Sequence, residues 1–388
     1  MSLWMMLRNF NGFKTDKSKK MIQETQHEGQ SAARQNAGVL IVGAGRVGLV
    51  LAMDLAWRGI PVTVLEQRRR GEPPEVKCNH VAVRSMEVFR RLGMAEKVRA
   101  AGQPDDYAHD VAYRVSAVSD LELTRIPITG RRERREGAPG PDTGWPTAEL
   151  PHRINQIFLE PLLFEHAAAM PNIRIVNCIE VSDFDQDAKG VTVHASSLDD
   201  GAELHFRAAY LVGCDGGRSM VRKGIGESLQ GDAVVQRVQS TYIRKPKLLS
   251  LFKHRPAWAT FSLNTRRCGN MYAIDGKETW LIHNYLLDGE ADFDSVDRDR
   301  CIRDILGVGA DFEYEVISKE DWFGRHLVAD RFHDRSVFIA GDAALRGWAD
   351  EAILDAYVAE RQPITEQVSV FAMNHAHAMA KARGAVPA

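Results

Sequence analysis

Short apolar runs that end in glycine or an acidic residue recur along the chain. The run 39–42 leads into the glycine-rich turn 43–48, and the run 62–65 ends at Glu66. A helix-like stretch lies between the two runs. Strand, glycine turn, helix and strand, in this order, predict a βαβ unit at the start of an α/β fold.

The glycine turn matches the pattern of a dinucleotide-binding loop, GxGxxG. Gly43 permits a tight turn, Gly45 lets the backbone approach a pyrophosphate, and Gly48 lets helix and strand pack closely. The N-terminus of the following helix then faces the anion. Glu66, at the end of the next strand, is placed to accept hydrogen bonds from a ribose diol. The unit therefore predicts a site for FAD or NAD(P).

The remaining periodicity alternates between helical and strand spacing. A second strand-rich region, 231–325, carries aromatic residues and a hairpin signal at Asp275-Gly276. Residues 130–145 are crowded with Arg, Gly and Pro and are expected to form an exposed, mobile loop. The other predicted elements are helices at 85–92 and 155–170, strands within 107–128 and at 173–176, 190–196 and 202–212, and a helical pattern from 349 onward.

Composition narrows the class of protein. The 388 residues are enough for two domains, and the net charge of −2 argues against a nucleic-acid partner. Five cysteines without a CxxC pair argue against a disulfide framework or a metal site, so a cytoplasmic location is expected. No apolar stretch approaches the ~18 residues of a membrane span. Residues 1–36 are polar and are expected to form a disordered leader.

Two further motifs follow predicted strands. Asp215-Gly216 follows the apolar run 210–213, and Arg218 and Arg222 lie beyond it. Such a turn can give Asp215 a hydrogen-bonding role and the arginines a phosphate-neutralising one. Gly341-Asp342 follows the apolar run 337–340, and Asp342 can bind a second ribityl or ribose hydroxyl.

The three motifs in this order resemble the FAD-dependent aromatic hydroxylases, the single-component flavoprotein monooxygenases typified by p-hydroxybenzoate hydroxylase. The resemblance implies an α/β fold, with a glutathione-reductase-type, Rossmann-like FAD-binding domain and an inserted strand-rich substrate domain. The FAD-binding domain is expected in three parts, 37–105, 151–230 and 326–346. The substrate domain is expected at 106–150 and 231–325, with a C-terminal helical segment at 347–388.

The resemblance also implies roles for single residues. In that family the Asp-Gly turn serves FAD and the transient NADPH, and the Gly-Asp carboxylate holds the ribityl chain. Arg84 corresponds to an arginine that reaches the pyrophosphate, Gln156 to a flavin-contacting glutamine, and Val181 to a backbone contact with adenine. The predicted cofactor-binding set is Gly43, Ala44, Gly45, Arg46, Val47, Gly48, Glu66, Gln67, Arg84, Gln156, Val181, Asp215, Gly216, Gly341 and Asp342.

The mechanism that the resemblance implies uses FAD, NAD(P)H and O2. NAD(P)H reduces the flavin, oxygen forms a flavin C4a-hydroperoxide, and one oxygen atom passes to a small aromatic substrate, a phenol or polycycle. Such chemistry requires a cavity that excludes water. No acid–base residue stands out, and a homo-oligomer is left open. Six aromatic residues are candidates to line the cavity, at least half of them expected in the sheet core instead: Phe252, Trp258, Phe261, Tyr272, Trp280 and Tyr285.

The chain departs from the family pattern after Ala344. Family members follow this point with a histidine, a proline loop and a Gly-x-Gly-x-Asn segment that seats the flavin ring. Here the chain runs directly into 347–357, which resembles the far side of that segment. Two interpretations stay open: a genuine deletion, or a sequence from which the segment is omitted. The alternatives to a hydroxylase are therefore a catalytically impaired nucleotide-binding protein, and an oxidase or epoxidase of the same fold.

Overall fold

The computed structural model describes residues 35–77, 80–140 and 147–341, and two β-sheets organise these residues. None of the helices within these ranges is long and apolar enough to cross a bilayer. Over the same ranges, no group of three or more His, Cys, Asp or Glu side chains is placed to hold a metal ion.

The elements are numbered in chain order. The strands are β1 Gln35–Val42, β2 Val62–Leu65, β3 Val111–Arg114, β4 Glu122–Ile126, β5 Ile173–Val176, β6 Ile179–Asp187, β7 Gly190–Ser197, β8 Glu203–Gly213, β9 Leu229–Arg244, β10 Ala259–Ser262, β11 Gly269–Ala273, β12 Thr279–Tyr285, β13 Glu315–Ala329, β14 His333–Asp334 and β15 Val337–Ile339. The helices are α1 Arg46–Trp57, α2 Val83–Arg91, α3 Ala95–Ala101, α4 Arg131–Arg135, α5 Gln156–Ala168, α6 Met220–Gly224 and α7 Arg298–Leu306, with a 3-10 helix at Leu248–Leu251.

The first sheet has the order β14-β15-β8-β1-β2-β5, and its neighbours from β15 to β5 run parallel. Leu40 and Ile41 of the central strand are fully buried, because both faces of the sheet are covered. Helices α1, α2 and α5 cover one face through residues such as Met53, Met86 and Leu163. On the other face, β6 and β7 form an antiparallel meander that ends in β8 and packs with α6.

The second sheet has the order β13-β9-β12-β11-β10-β3-β4. One of its faces is covered by α7, where Ile302 and Ile305 pack against the fully buried Trp280. On the opposite face, Tyr242 and Leu281 pack against Ile157 and Phe158 of α5. Helix α5 therefore contacts the first sheet on one side and the second sheet on the other.

The predicted α/β fold class is confirmed, and so are the helices at 85–92 and 155–170 to within a few residues. The predicted end of the leader is wrong by two residues, because β1 begins at Gln35 and pairs with β8 from Phe206 onward. Strand pairing uses backbone groups, so polar side chains do not end a strand. The other residues of the predicted leader and the helical pattern from 349 onward lie outside the described residues.

The predicted mobile loop at 130–145 is wrong at its start. Residues Arg131–Arg135 form the short helix α4, and Arg131 is 8% exposed. Its guanidinium forms an ion pair with Asp105 at 2.8 Å and donates to the carbonyl oxygens of Arg99 and Gln103. These acceptors lie in another part of the chain, so the local Arg-rich composition could not reveal them.

Candidate functional site

The carboxyl ends of four neighbouring strands meet at one edge of the first sheet. Strands β15, β8, β1 and β2 run parallel, so their ends point the same way. Three backbone hydrogen bonds extend this order past the strands: Gly43 N–H to Leu65 O at 2.8 Å, Cys214 N–H to Val42 O at 2.7 Å, and Ala340 N–H to Gly213 O at 2.8 Å. The three sequence motifs therefore lie side by side, where open α/β sheets bind ligands.

Two glycines of the turn 43–48 are required by backbone contacts. Gly43 has a φ of 101°, and a Cβ at this position would lie 2.5 Å from the carbonyl oxygen of Cys214. A Cβ on Gly48 would lie 2.0 Å from the carbonyl oxygen of Gly43. Neither position has room for a side chain. The predicted tight turn and close packing of helix on strand are thus confirmed.

The third glycine, Gly45, faces open space at the N-terminus of α1. Among the described residues, a Cβ here would meet only Glu160 Oε2, at 4.0 Å. Gly45 is the N-cap of α1, and no side chain caps the helix. The N–H groups of Arg46, Val47 and Gly48 have no acceptor in the described part of the chain. Free amides and an uncovered backbone fit an anionic group such as a pyrophosphate.

Glu66 is a buried carboxylate beside this turn, with 7% of the residue exposed. Its Oε2 accepts from the Ala44 N–H at 2.6 Å, and its Oε1 accepts from the Arg68 N–H at 2.9 Å. Gln67, which lies between Glu66 and Arg68 in the sequence, is exposed. Glu66 therefore stands next to the amides of α1, which is the position that a ribose-binding acid requires. Its contact with a ribose stays a prediction.

A polar network extends from Glu66 to the start of α1. Arg68 forms an ion pair with Glu160 at 2.7 Å, and Glu160 accepts from the Gln156 amide at 2.9 Å. Arg46 in turn donates to the Gln156 side-chain carbonyl. Burial would lower the pKa of Arg68, but the hydrogen bonds and charges of Glu66 and Glu160 outweigh burial and raise it.

Arg68 and Glu160 are not among the residues predicted for this site from the sequence. One signal was available for Glu160, which lies one helical turn after Gln156 and therefore on the same face of α5. An acid on the otherwise apolar side of a helix needs a partner. Arg68 offered no such signal, because it lies in a run of three arginines, 68–70.

Asp215 uses both of its carboxylate oxygens within its own turn. Oδ2 accepts from the N–H groups of Met220 at 2.7 Å and Val221 at 3.2 Å, and Oδ1 accepts from the Ser219 hydroxyl at 2.5 Å. Gly216 has a φ of 76° and open space around it. The observed role of Asp215 is to cap α6, and the contacts of Asp215 and Gly216 with FAD stay predictions.

Arg222 lies beyond the same turn and is 5% exposed. Its guanidinium donates to the carbonyl oxygen of Gly217 at 3.1 Å, so it stabilises the turn. The phosphate-neutralising role expected of Arg222 stays a prediction. Arg218, by contrast, is exposed.

At Gly341 the third motif packs against the first. It has a φ of 65°, and a Cβ there would lie 2.9 Å from a methyl carbon of Val47 in the first turn of α1. The two motifs are far apart in sequence and in contact in the fold. Asp342, together with the region after Ala344, lies outside the described residues, and its predicted role stays a prediction.

Arg84 and Val181, two predicted cofactor contacts, lie on elements outside the turn 43–48. Arg84 is in the first turn of α2, where its side chain is 56% exposed and forms an ion pair with Glu87 at 2.9 Å. Val181 follows Ile179, whose N–H donates to the carbonyl oxygen of Glu66 at 3.0 Å. Val181 is therefore close to the acid end of the site. Both cofactor contacts stay predictions.

The six aromatic candidates separate onto two faces of the second sheet. Phe252 and Trp280 pack with their ring centroids 6.3 Å apart in the core under α7, so they do not line the face turned toward α5. These two residues therefore belong with the candidates expected in the sheet core, Trp280 fully buried and Phe252 partly buried. The other four are half-buried, and sequence alone did not identify two further rings of this face, His283 and Trp322, whose centroids are 5.6 Å apart.

Comparison with known proteins gives the family. Residues 36–345 match a family model described as an FAD binding domain. The chain is 29% identical to a putative polyketide hydroxylase of Streptomyces halstedii, over 84% of this chain and 63% of that protein. It is 26% identical to the phenol 2-monooxygenase of a Pseudomonas strain, over 85% of this chain and 57% of that protein. The chain thus spans less than two thirds of the length of these relatives.

Solved structures show the same likeness. RebC, a rebeccamycin biosynthetic enzyme, solved with reduced flavin, superposes with a TM-score of 0.76 at 29% identity, covering 92% of this chain and 70% of that one. The flavin-dependent monooxygenase PieE, solved with FAD and substrate, gives 0.72 at 25% identity, covering 83% of this chain and 55% of that one. The chain therefore belongs to the FAD-binding-domain family of the FAD-dependent aromatic hydroxylases.

Proposed function

We propose that this chain is an FAD-dependent monooxygenase that hydroxylates a phenolic or polycyclic aromatic compound. The overall reaction consumes the aromatic compound, O2, NAD(P)H and a proton, and yields the hydroxylated product, water and NAD(P)+. The observation that carries the proposal is the uncapped N-terminus of α1, beside the buried Glu66, at the edge where three motifs of the family meet. The hydroxylase and monooxygenase names of the relatives support it.

The described residues fit FAD at its adenosine and pyrophosphate end. The N–H groups of Arg46 to Gly48 would bind the pyrophosphate, Glu66 would bind the adenosine ribose, and Val181 would contact adenine. Asp342 would bind the ribityl chain, which the contact of Gly341 with Val47 supports. Bound FAD would supply the electron transfer from NAD(P)H and the activation of O2, which side chains cannot perform.

The second sheet would hold the substrate. Its face toward α5 carries rings whose bodies are half-buried, including Tyr272 and His283 with centroids 5.1 Å apart. Burial lowers the pKa of His283 to about 4, so this imidazole is neutral at pH 7. A wall of aromatic rings favours the planar body of an aromatic substrate and excludes water, which protects an oxygen-activating site.

The test is an isotope-labelling assay on the 388-residue chain reconstituted with FAD. Phenols and polycyclic phenols are supplied with NADH or NADPH under 18O2, and the products are analysed by mass spectrometry. A hydroxylase incorporates one 18O atom per product molecule and oxidises one NAD(P)H. Glu66→Gln serves as a variant with weakened cofactor binding, and Glu165→Gln, exposed on α5, serves as its control.

Other outcomes identify the alternatives. Oxygen consumption without NAD(P)H, and without 18O in the product, would indicate an oxidase. An epoxidase would transfer one 18O atom to an alkene and not to a phenol. FAD binding without turnover of any aromatic compound would indicate a catalytically impaired relative, and a chain that binds no FAD would contradict the proposal.

A further inference from the structure

Arg153 lies between the two sheets, three residues before α5. Its carbonyl oxygen accepts from the Gln103 N–H at 3.3 Å, which fixes the backbone. Its guanidinium carbon lies 3.6 Å from the centroid of the Trp258 ring, so the cation stacks on the indole. Trp258 in turn belongs to the second sheet region, because its carbonyl oxygen accepts from the Ala273 N–H of β11.

Among the described residues, no anionic group pairs with this guanidinium. The described part of the chain gives Arg153 neither an ion pair nor a side-chain hydrogen bond. Two more deeply buried arginines are paired with a carboxylate: Arg114 with Glu122 at 3.0 Å, and Arg267 with Glu290 at 2.5 Å. Burial lowers the pKa of Arg153 to about 10, so the group is still charged at pH 7. A half-buried cation without a counterion is costly unless a ligand supplies the negative charge.

In the described part of the chain, His109 and Trp258 place two buried polar atoms near Arg153. His109 is 6% exposed, and its pKa is lowered to about 3 by burial and by the charges of Arg153, Arg131 and Arg134. His109 Nε2 and Trp258 Nε1 are buried, and neither has a hydrogen-bond partner among the described residues. Two unpaired polar atoms beside an unpaired cation indicate a place that a polar group fills.

Aromatic rings continue from this point across the sheet. The centroids of Trp258 and Tyr272 are 5.5 Å apart, those of Tyr272 and His283 are 5.1 Å apart, and those of His283 and Trp322 are 5.6 Å apart. The cation therefore stands at one end of a row of rings. The neighbouring rings meet at angles of 56°, 63° and 74°, so they form an aromatic wall that a flat, conjugated molecule can contact.

We propose that Arg153, stacked on Trp258, binds a carboxylate of the substrate and so makes this site specific for planar aromatic acids. The planar guanidinium matches a carboxylate in two parallel hydrogen bonds, and the rings from Trp258 to Trp322 contact the aromatic body. The inference rests on the proposed function, since it names the substrate class of the same site. Arg153 acts here as a specificity-determining residue.

The test compares two ligands that differ in charge and have nearly the same shape, 2-naphthoate and 2-naphthamide. Each is titrated into the FAD-reconstituted chain and into the FAD-free chain, and binding is followed by ligand fluorescence. The wild-type chain is expected to bind naphthoate at least about tenfold more tightly than naphthamide. Arg153→Met is expected to remove this preference, and Arg153→Lys to keep part of it.

Arg300→Met is the matched control, because Arg300 is 79% exposed on α7 and its nearest carboxylate oxygen is 3.9 Å away. It should keep the full preference. Equal affinities of the wild-type chain for both ligands would overturn the inference, as would a preference that survives in Arg153→Met. If Arg153→Met weakened FAD binding alone, Arg153 would belong to the cofactor site and the inference would also fail.

Two further results separate this inference from the proposed function. A naphthoate preference without any 18O transfer would leave the inference standing and contradict the monooxygenase proposal. Hydroxylation of phenols without a charge preference would do the reverse. Circular dichroism checks the fold of each variant, and Trp258→Phe replaces Arg153→Met if the latter fails to fold. Loss of the indole should reduce the naphthoate preference without removing the cation.

Discussion

Two turns at the same edge of the first sheet, each leading from a strand into a helix, satisfy their helix ends in opposite ways. The first turn, 43–48, enters the 12-residue helix α1 with no side-chain cap and no acid in its first helical turn. The second turn, 215–219, enters the five-residue helix α6, whose first N–H groups are bonded by Asp215 and Ser219. Only the first turn leaves its amides for an external anion.

The difference shows that the hydrogen bonds within a turn decide whether the polar groups of its motif are available to a ligand. Both turns combine glycine with an acid, and both were predicted to contact the cofactor. In the first, the acid Glu66 comes from the neighbouring strand β2 and leaves the helix end open. In the second, the acid comes from the turn itself and closes it. The first turn therefore leaves N–H groups that a ligand could use, whereas the carboxylate of the second turn is already bonded within the protein.

The largest loss of stability is expected at a glycine whose Cα lies against a backbone carbonyl group. Gly48→Ala would place a Cβ 2.0 Å from the carbonyl oxygen of Gly43, so α1 must move away from β1. We expect a loss of about 3 kcal/mol or more in the free energy of unfolding. Gly217→Ala in the second turn is the control, because its Cβ would meet nothing within 4 Å among the described residues. Urea denaturation measures both, and equal losses would contradict this account.

The next effect concerns the cap of the second turn. Asp215→Ala removes the acceptor of two N–H groups of α6, and we expect a loss of about 1–2 kcal/mol of stability. Ser219→Ala, which damages the same cap, should behave alike, with affinities for FAD close to wild type in both. Equilibrium dialysis with FAD would decide the point. A much weaker affinity in Asp215→Ala alone would show that Asp215 contacts the cofactor.

In the first turn, a substitution should weaken FAD binding more than it lowers stability. Glu66→Gln keeps an oxygen that can accept from Ala44 N–H but removes the charge, and we expect about tenfold weaker FAD binding. Its stability should fall less than that of Gly48→Ala. Glu165→Gln, whose side chain is 67% exposed, controls for the loss of one negative charge. Unchanged FAD affinity in Glu66→Gln would remove the basis for calling the first turn a binding site.

Sequence predicted the parts of the site that are local and missed those that depend on distant contacts. The glycine turn with Glu66 was predictable, because its pattern reflects backbone sterics within one βαβ unit. The ion pair of Arg68 with Glu160 joins residues far apart in sequence, so no local sequence pattern predicts it. The same holds for Trp280 and Trp258. Trp280 lies in the core under α7, whereas Trp258, just before β10, has its ring centroid 5.5 Å from that of Tyr272.

The smallest effect tests whether the polar network aims Arg46 at the open end of α1. Gln156→Leu removes the acceptor of Arg46 and the donor to Glu160, and leaves the amides of α1 unchanged. We expect about threefold weaker FAD binding, because one hydrogen bond contributes about 1 kcal/mol or less when water can replace it. Gln230→Leu is the control, because Gln230 is exposed on β9 and its side chain donates to Ser228, away from α1.

The dependence of FAD affinity on ionic strength in Gln156→Leu tests the position of Arg46. If Gln156 holds Arg46 near a bound pyrophosphate, its loss frees the cation into solvent, where salt screens its attraction to the anion. The affinity of Gln156→Leu for FAD should then fall less steeply between low and high ionic strength than that of the wild-type chain. Identical slopes would mean that Arg46 points to solvent in both, and that the first turn binds its anion through backbone amides alone.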